Sequence, residues 1–151
     1  MSKIGEVCER DVVVGTPDLT VAAAAKLMRH KHVGCVVIVD SMTGGLGVPR
    51  GIVTDRDIVV EVTATDLDPN TITVGDIMPR EIVTVRADQD VAAAMQLMRL
   101  KGVRRLPVVT EGGRLIGLVA FDDLLEVMTG QLCDLTKTVI REQTREATAR
   151  K

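Results

Sequence analysis

Two short clusters in this chain carry groups suited to an anionic, hydroxyl-bearing molecule. They are Thr54-Asp55-Arg56-Asp57 and the arginine pair Arg104-Arg105. A carboxylate at a helix start can accept two hydrogen bonds from neighbouring hydroxyls, and the free amides of that helix end favour an anion. The T-x-x-D spacing also fits a capping box, in which Thr54 and Asp57 satisfy the first helical amides. Spacing by itself favours the cap, and the two roles are compatible. Arginine forks suit phosphate oxygens and supply positive charge to a chain of net charge −2. The competing reading of Arg104 and Arg105 is a solvated pair making surface ion pairs of little energetic worth. His30, His32 and Cys35 lie close in sequence but lack a second ligand pair at zinc-like spacing, so no metal is expected. Histidines at a helix end, near the negative pole of its dipole, are the better account. No nucleophile with a matched base, Gly-rich phosphate loop or paired-carboxylate motif is present, so the expectation is a binding protein and not an enzyme.

These clusters sit inside a repeat. VAAAAKLMRHKHVGCVVIVD (Val21 to Asp40) returns seventy residues later as VAAAMQLMRLKGVRRLPVVT (Val91 to Thr110). Each copy leads through a glycine-containing turn into a Gly-apolar-apolar run and an acidic helix start, GIVTDRDI and GLVAFDDL. Each repeat reads as β-α-β-β-α. In the first, Val12 to Val14 form a short strand, and Thr20 caps a helix to Lys31 with Val21, Ala24, Ala25, Leu27 and Met28 as its apolar stripe. Cys35 to Val39 is a β-branched run and reads as a buried strand, followed by a strand ending at Gly51-Ile52-Val53 and a helix opening near Thr54. A polar connector with a helical turn at Asp76-Ile77-Met78 follows. The second copy repeats the order: strand Ile82 to Val85, Asp90 as cap, a helix to Lys101, strands Leu106 to Val109 and Leu115 to Val119, then a helix. Cys35 and Gly51 are 16 apart while Arg105 and Gly117 are 12 apart, so the first copy carries a four-residue insertion in its loop. Two copies of one unit stack so that each buries the face the other leaves open, with a cleft between them. The expected fold is therefore α/β (α+β): two pseudo-symmetric repeats packed sheet to sheet, at 1–66 and 67–130, with a helical tail at 131–151.

The repeated pattern resembles a tandem of cystathionine-β-synthase (CBS) domains, a pair often called a Bateman module. The residues that carry the likeness are the T-V-x-x-A-x-x-L-M helix, the V-R-R-L-P-V-V strand and the G-I-V-T-D-R-D-I corner, covering roughly residues 1–128. The resemblance implies a pseudo-symmetric disc with two clefts that often bind adenine nucleotides, and frequent pairing of modules into dimers. It implies that Asp57 hydrogen-bonds ribose hydroxyls with help from Thr54, and that Arg104 and Arg105 meet phosphate at a cleft-lining strand start. Gly34 and Cys35 stand at the equivalent place in the first copy, where Gly34 lets a ligand approach the backbone. Arg56 is a further phosphate candidate. Ile82, Val83 and Val103 are expected to wall the cleft that holds Asp57, with Ile77 and Met78 enclosing the base. Each of these apolar residues taken singly reads as ordinary core. The second copy keeps its acid at Asp123, but Ala120 replaces the hydroxyl, so binding is expected to be asymmetric.

Composition narrows the remaining classes. With 46% apolar and 26% charged residues, neither disorder nor bulk polyanion binding is indicated. One phenylalanine and no tryptophan or tyrosine leave essentially no aromatic surface on which single-stranded bases could stack, so nucleic acid is not the expected partner. No stretch approaches a membrane span, MSKIGEVCER is too charged for a signal peptide, and three widely spaced cysteines suit reduced thiols. A cytoplasmic location is expected. The tail QLCDLTKTVIREQTREATARK reads as a helix with Leu132, Leu135, Val139 and Ile140 on one side, available to its own module or to a partner subunit. The expected protein is a stand-alone regulator and homodimer that binds AMP, ATP or NAD between its repeats and acts on a protein target in trans. The alternative is an oligomerisation or docking module with vestigial clefts.

Overall fold

The computed structural model describes residues 2–150; Met1 and Lys151, the outer ends of the expected segments, lie outside them. The elements run α1 (Ile4–Val7), β1 (Val14–Gly15), α2 (Val21–Lys31), β2 (Cys35–Val39), β3 (Pro49–Thr54), α3 (Asp55–Ile58) and a π-helical stretch, Val59–Thr63. The second half follows with α4 (Val74–Ile77), β4 (Val85–Arg86), α5 (Val91–Lys101), β5 (Arg105–Val109), β6 (Leu115–Ala120) and α6 (Phe121–Ala149). Both long repeat helices end where the apolar spacing ends. Thr20 Oγ1 accepts from the Ala23 amide at 3.2 Å, and Val21, Ala24 and Met28 form the buried stripe. α2 stops at His32, in the left-handed region at φ 56°, and α5 stops at Gly102 with φ 64°. The histidine bears a steric cost of roughly 1–2 kcal/mol there that glycine avoids.

Each half builds one three-stranded sheet, β1-β2-β3 and β4-β5-β6, with a parallel first pair and an antiparallel second pair. Cys35 pairs with Thr54 and Arg105 with Ala120, so equivalent residues occupy equivalent rungs. Both opening strands are shorter than expected: only Val14–Gly15 and Val85–Arg86 pair. All of β2 is buried. Val36 and Ile38 pack towards α2, whereas Val37 and Val39 join Leu115 and Leu118 of β6 in a cluster shared by both halves. Strand alternation thus gives β2 two jobs, one inside its repeat and one between repeats.

The short helices exchange places. α1 precedes the first repeat but packs on the second: Ile4 is buried with Val85, Leu106 and Leu124, and the Ile4 and Gly5 amides donate to Gln89 and Ala87 carbonyls at 2.9 Å each. α4 precedes the second repeat but packs on the first: Val74 lies among Ala24, Val36 and Val53, and the Val74 and Gly75 amides donate to Leu19 and Pro17 at 2.8 and 3.0 Å. Gly5 and Gly75 are needed at these crossings, since a Cβ would lie 3.2 Å from the Ala87 oxygen and 2.8 Å from the Pro17 oxygen. The exchange also explains why Asp90 does not cap α5 as expected. α1 brings Lys3 beside it, and the carboxylate takes the Lys3 Nζ at 2.8 Å instead.

Helix α6 is continuous from Phe121 to Ala149, so residues 131–149 prolong the last helix of the second repeat. Leu124 anchors its first turns in the core, but Leu132, Leu135, Val139 and Ile140 are more than half exposed.

Candidate functional site

At the end of β3 the chain turns into α3, and the turn is held by a reciprocal pair. The Thr54 amide donates to Asp57 Oδ2 at 2.8 Å, and the Asp57 amide donates to Thr54 Oγ1 at 3.1 Å. The cap inferred from spacing is therefore formed. It engages one carboxylate oxygen; Asp57 Oδ1 has no protein hydrogen bond among the described residues. A backbone bond from the Asp55 amide to the Gly34 carbonyl, 3.0 Å, ties this helix start to the beginning of β2. The second half repeats the arrangement with a bond missing. The Phe121 amide donates to the Arg104 carbonyl at 2.8 Å and the Ala120 amide to Asp123 Oδ2 at 2.7 Å, but Ala120 offers no hydroxyl in return.

The two adjacent arginines part company, as successive residues entering a strand must. Arg105 reaches back to the first half: its Nη2 lies 3.2 Å from where a Cβ on Gly34 would sit, and Asp55 Oδ2 lies 3.4 Å from the same point. The guanidinium makes no hydrogen bond or ion pair within 4 Å among the described residues. Gly34 is thus a place of close approach, and any side chain there would crowd both charges. Arg104 turns outward instead, 3.4 Å from Asp122 Oδ1 and 5.6 Å from the Phe121 ring centre. Cys35 is buried beside this crossing. Burial pushes its thiol up, Arg105 pulls it back, and Asp55 raises it further.

The structure therefore groups Thr54, Asp57, Gly34, Cys35 and Arg105 at one end of the paired sheets, with Arg56 exposed on the same helix start. The expected apolar walls are dispersed. Met78 covers Gly51 of β3, its sulfur 2.7 Å from a Cβ position there, and Ile77 packs on the first core. Val83 and Val103 pack on the second core, and Ile82 is half-buried. Val103 also lines a hollow of about 470 Å³ between α5 and α6, with Arg104, Phe121, Leu125 and Met128. A larger hollow of about 690 Å³ lies against α2, bounded by Lys26, Arg29, Val62 and Asp66. Neither contains Asp57. Reading from sequence missed α1, whose Cys8 covers Gly117 as Met78 covers Gly51. The signal was present: Ile-Gly-Glu-Val-Cys at 4–8 matches Val-Gly-Asp-Ile-Met at 74–78, seventy residues on.

No group of three or more His, Cys, Asp or Glu side chains gathers as a metal set among the described residues. Among the described residues, no helix is long and apolar enough to cross a membrane.

Known proteins share this arrangement. An uncharacterized protein of Methanopyrus kandleri is 41% identical over 124 residues, 82% of this chain and 61% of that protein, so the chain spans under two thirds of that relative. The CBS domain-containing protein YhcV of Bacillus subtilis is 35% identical over 124 residues, 82% of this chain and 84% of its own length. A solved CBS domain protein of Pyrobaculum aerophilum, complexed with AMP, superposes with a TM-score of 0.73 at 25% identity, covering 85% of this chain and 99% of that one. The CBS domain model matches twice, at residues 4–64 and 74–130, each match beginning at one of the exchanged short helices. With the doubled match, the relatives and the two sheets of like topology in agreement, the chain belongs to the CBS domain family, as a tandem pair extended by a long C-terminal helix.

Proposed function

We propose that this CBS pair is a regulatory protein that binds an adenosine-containing nucleotide, AMP, ATP or NAD, at the Thr54–Asp57 end of its sheets. The observation that carries the reading is the unpaired Arg105 guanidinium from one half, meeting the α3 start and Gly34 from the other. An anion placed there would find a positive fork, while Asp57 Oδ1 is left to accept from a sugar hydroxyl. Arg56 adds charge at the rim. The AMP bound by the Pyrobaculum protein supports this ligand class. The second half, with Ala120 in place of the threonine, binds more weakly or stays empty. Ligand shifts the population of subunit arrangements of a homodimer, which a protein target in trans reads. The competing role, an assembly module with vestigial clefts, draws on the fact that Arg105 already crosses the space beside Gly34.

A thermal-shift panel of AMP, ADP, ATP and NAD, with GMP and free ribose as controls, separates the two. Ligand at a hundredfold excess over Kd stabilises by about 2.7 kcal/mol, a rise of about 5–10 °C for a chain of this size. The expected result is such a rise with at least one adenine compound and none with ribose. A flat panel would overturn the nucleotide reading and leave the assembly module standing.

A further inference from the structure

Helix α6 leaves Phe121, Leu125, Met128, Leu132, Leu135 and Val139 with 46–67% of their surfaces exposed. Their spacing, 4-3-4-3-4, is that of a heptad seam, and it draws one stripe along the helix. Next to the seam stand Thr129, Gln131, Thr136 and Thr138, all uncharged. The charges of this stretch lie on the other sides, including the Asp134–Lys137 pair at 3.6 Å, apart from Asp122 at the helix start, which Arg104 meets at 3.4 Å. An apolar stripe bordered by neutral polar residues and backed by charge is the pattern of a helix that pairs with another helix.

We propose that this seam joins two copies of the chain in an antiparallel helix pair centred at the level of Gly130. The antiparallel register matches every apolar member: Phe121 faces Val139, Leu125 faces Leu135, and Met128 faces Leu132, each pairing occurring twice by two-fold symmetry. Charge selects this direction. Continuing the seam beyond Val139 by steps of three and four reaches Glu142 and Glu146. A parallel pair would set each glutamate against its own copy. The antiparallel pair carries Glu142 just past the Phe121 layer, where Arg104 stands over the Phe121 ring at 5.6 Å. It also lays Leu135 and Val139 of the second copy over the hollow between α5 and α6, where Met95, Met98 and Val103 meet Leu125 and Met128. The lining of that hollow is almost wholly apolar apart from Arg99 and Arg104 at its rim. The second copy thus fills the hollow with side chains of the right kind and brings a carboxylate to its arginine edge. The inference rests on the homodimer part of the preceding reading and is independent of the nucleotide.

The test uses the full chain and measures mass in solution at micromolar concentration, for the parent and for Leu132→Asp with Leu135→Asp. Both leucines are exposed, so the melting temperature of the globular halves serves as the folding control. The expected result is a dimeric parent and a variant whose dissociation constant is weaker by about 100-fold or more. A dimeric variant would overturn the seam while sparing the homodimer reading; a monomeric parent would overturn both. Direction is read by mild oxidation of Gln131→Cys and of Val139→Cys, each in a Cys133→Ser background. Gln131 flanks its own copy near the centre of the antiparallel pair, within disulfide reach, while the two Val139 positions stand about 27 Å apart along the axis. Cross-linking through 131 and not 139 is the expected outcome. The reverse pattern would overturn the antiparallel register.

Discussion

Asp57→Ala and Asp123→Ala form a matched pair that divides helix capping from ligand binding. Asp57→Ala removes the acceptor 2.8 Å from the Thr54 amide; Asp123→Ala removes its equivalent 2.7 Å from the Ala120 amide. Both sites are half-buried helix starts, so each loss costs about 1 kcal/mol, or about 2–4 °C in melting temperature. The pair should therefore look alike in calorimetry. They should differ in binding. Under the proposed function, Asp57 Oδ1 accepts one or two charge-assisted bonds from the sugar, so its loss costs about 3 kcal/mol, about 100-fold in Kd. Asp123 sits where the hydroxyl partner is absent, and its removal should leave the strong site intact. Isothermal titration of parent and both variants with the nucleotide that gives the largest thermal shift reads the difference. Unchanged affinity in Asp57→Ala, or an equal loss in Asp123→Ala, would refute the ribose role and leave both aspartates as caps.

Gly117→Ala tests the exchanged α1: the new Cβ would stand 2.6 Å from Cys8 Sγ and 2.9 Å from the Glu9 oxygen. Backbone must shift, at about 1–3 kcal/mol, whereas Gly130→Ala, with open space around it, should stabilise α6 by up to about 1 kcal/mol; calorimetry showing Gly117→Ala to be neutral would contradict the close packing. Acid should weaken the fold through Asp40 and Asp76. The Val48 amide lowers Asp40, as the Thr73 amide and hydroxyl lower Asp76. A lowered folded-state value means stability that is complete above the ordinary carboxylate value of about 3.9 and lost as pH falls through the folded one. Melting temperature should hold between pH 7 and 5 and fall below about pH 4, with a smaller fall in Asp40→Asn; a flat profile in the parent would count against these bonds.

Long-range repetition made much of this molecule legible from its residues. Seventy-residue periodicity located α2 and α5 to their last lysines, because eleven residues give the apolar stripe three turns in which to show itself. α1 and α4 are four residues each, too short for a 3.6-residue period to register; of the two only the turn at Asp76-Ile77-Met78 was legible, and their exchange depends on contacts far apart in sequence. For that reason Asp90 was readable as a cap but not as the partner of Lys3. The arginine pair was visible as charge, yet only the pleat at the start of β5 sends Arg105 across to Gly34 and Arg104 out to Phe121. The second repeat was expected to end at Gly130, but α6 runs through it, since one glycine costs a helix only about 1 kcal/mol.

Because Ile4 completes one core and Val74 the other, the two lobes are buttoned to each other at both edges. Prying them open like a clam would undo both fastenings at once and wet two interiors together. Under the proposed function, a nucleotide held between the lobes would therefore act by turning whole protomers, with each body travelling as a single stiff piece.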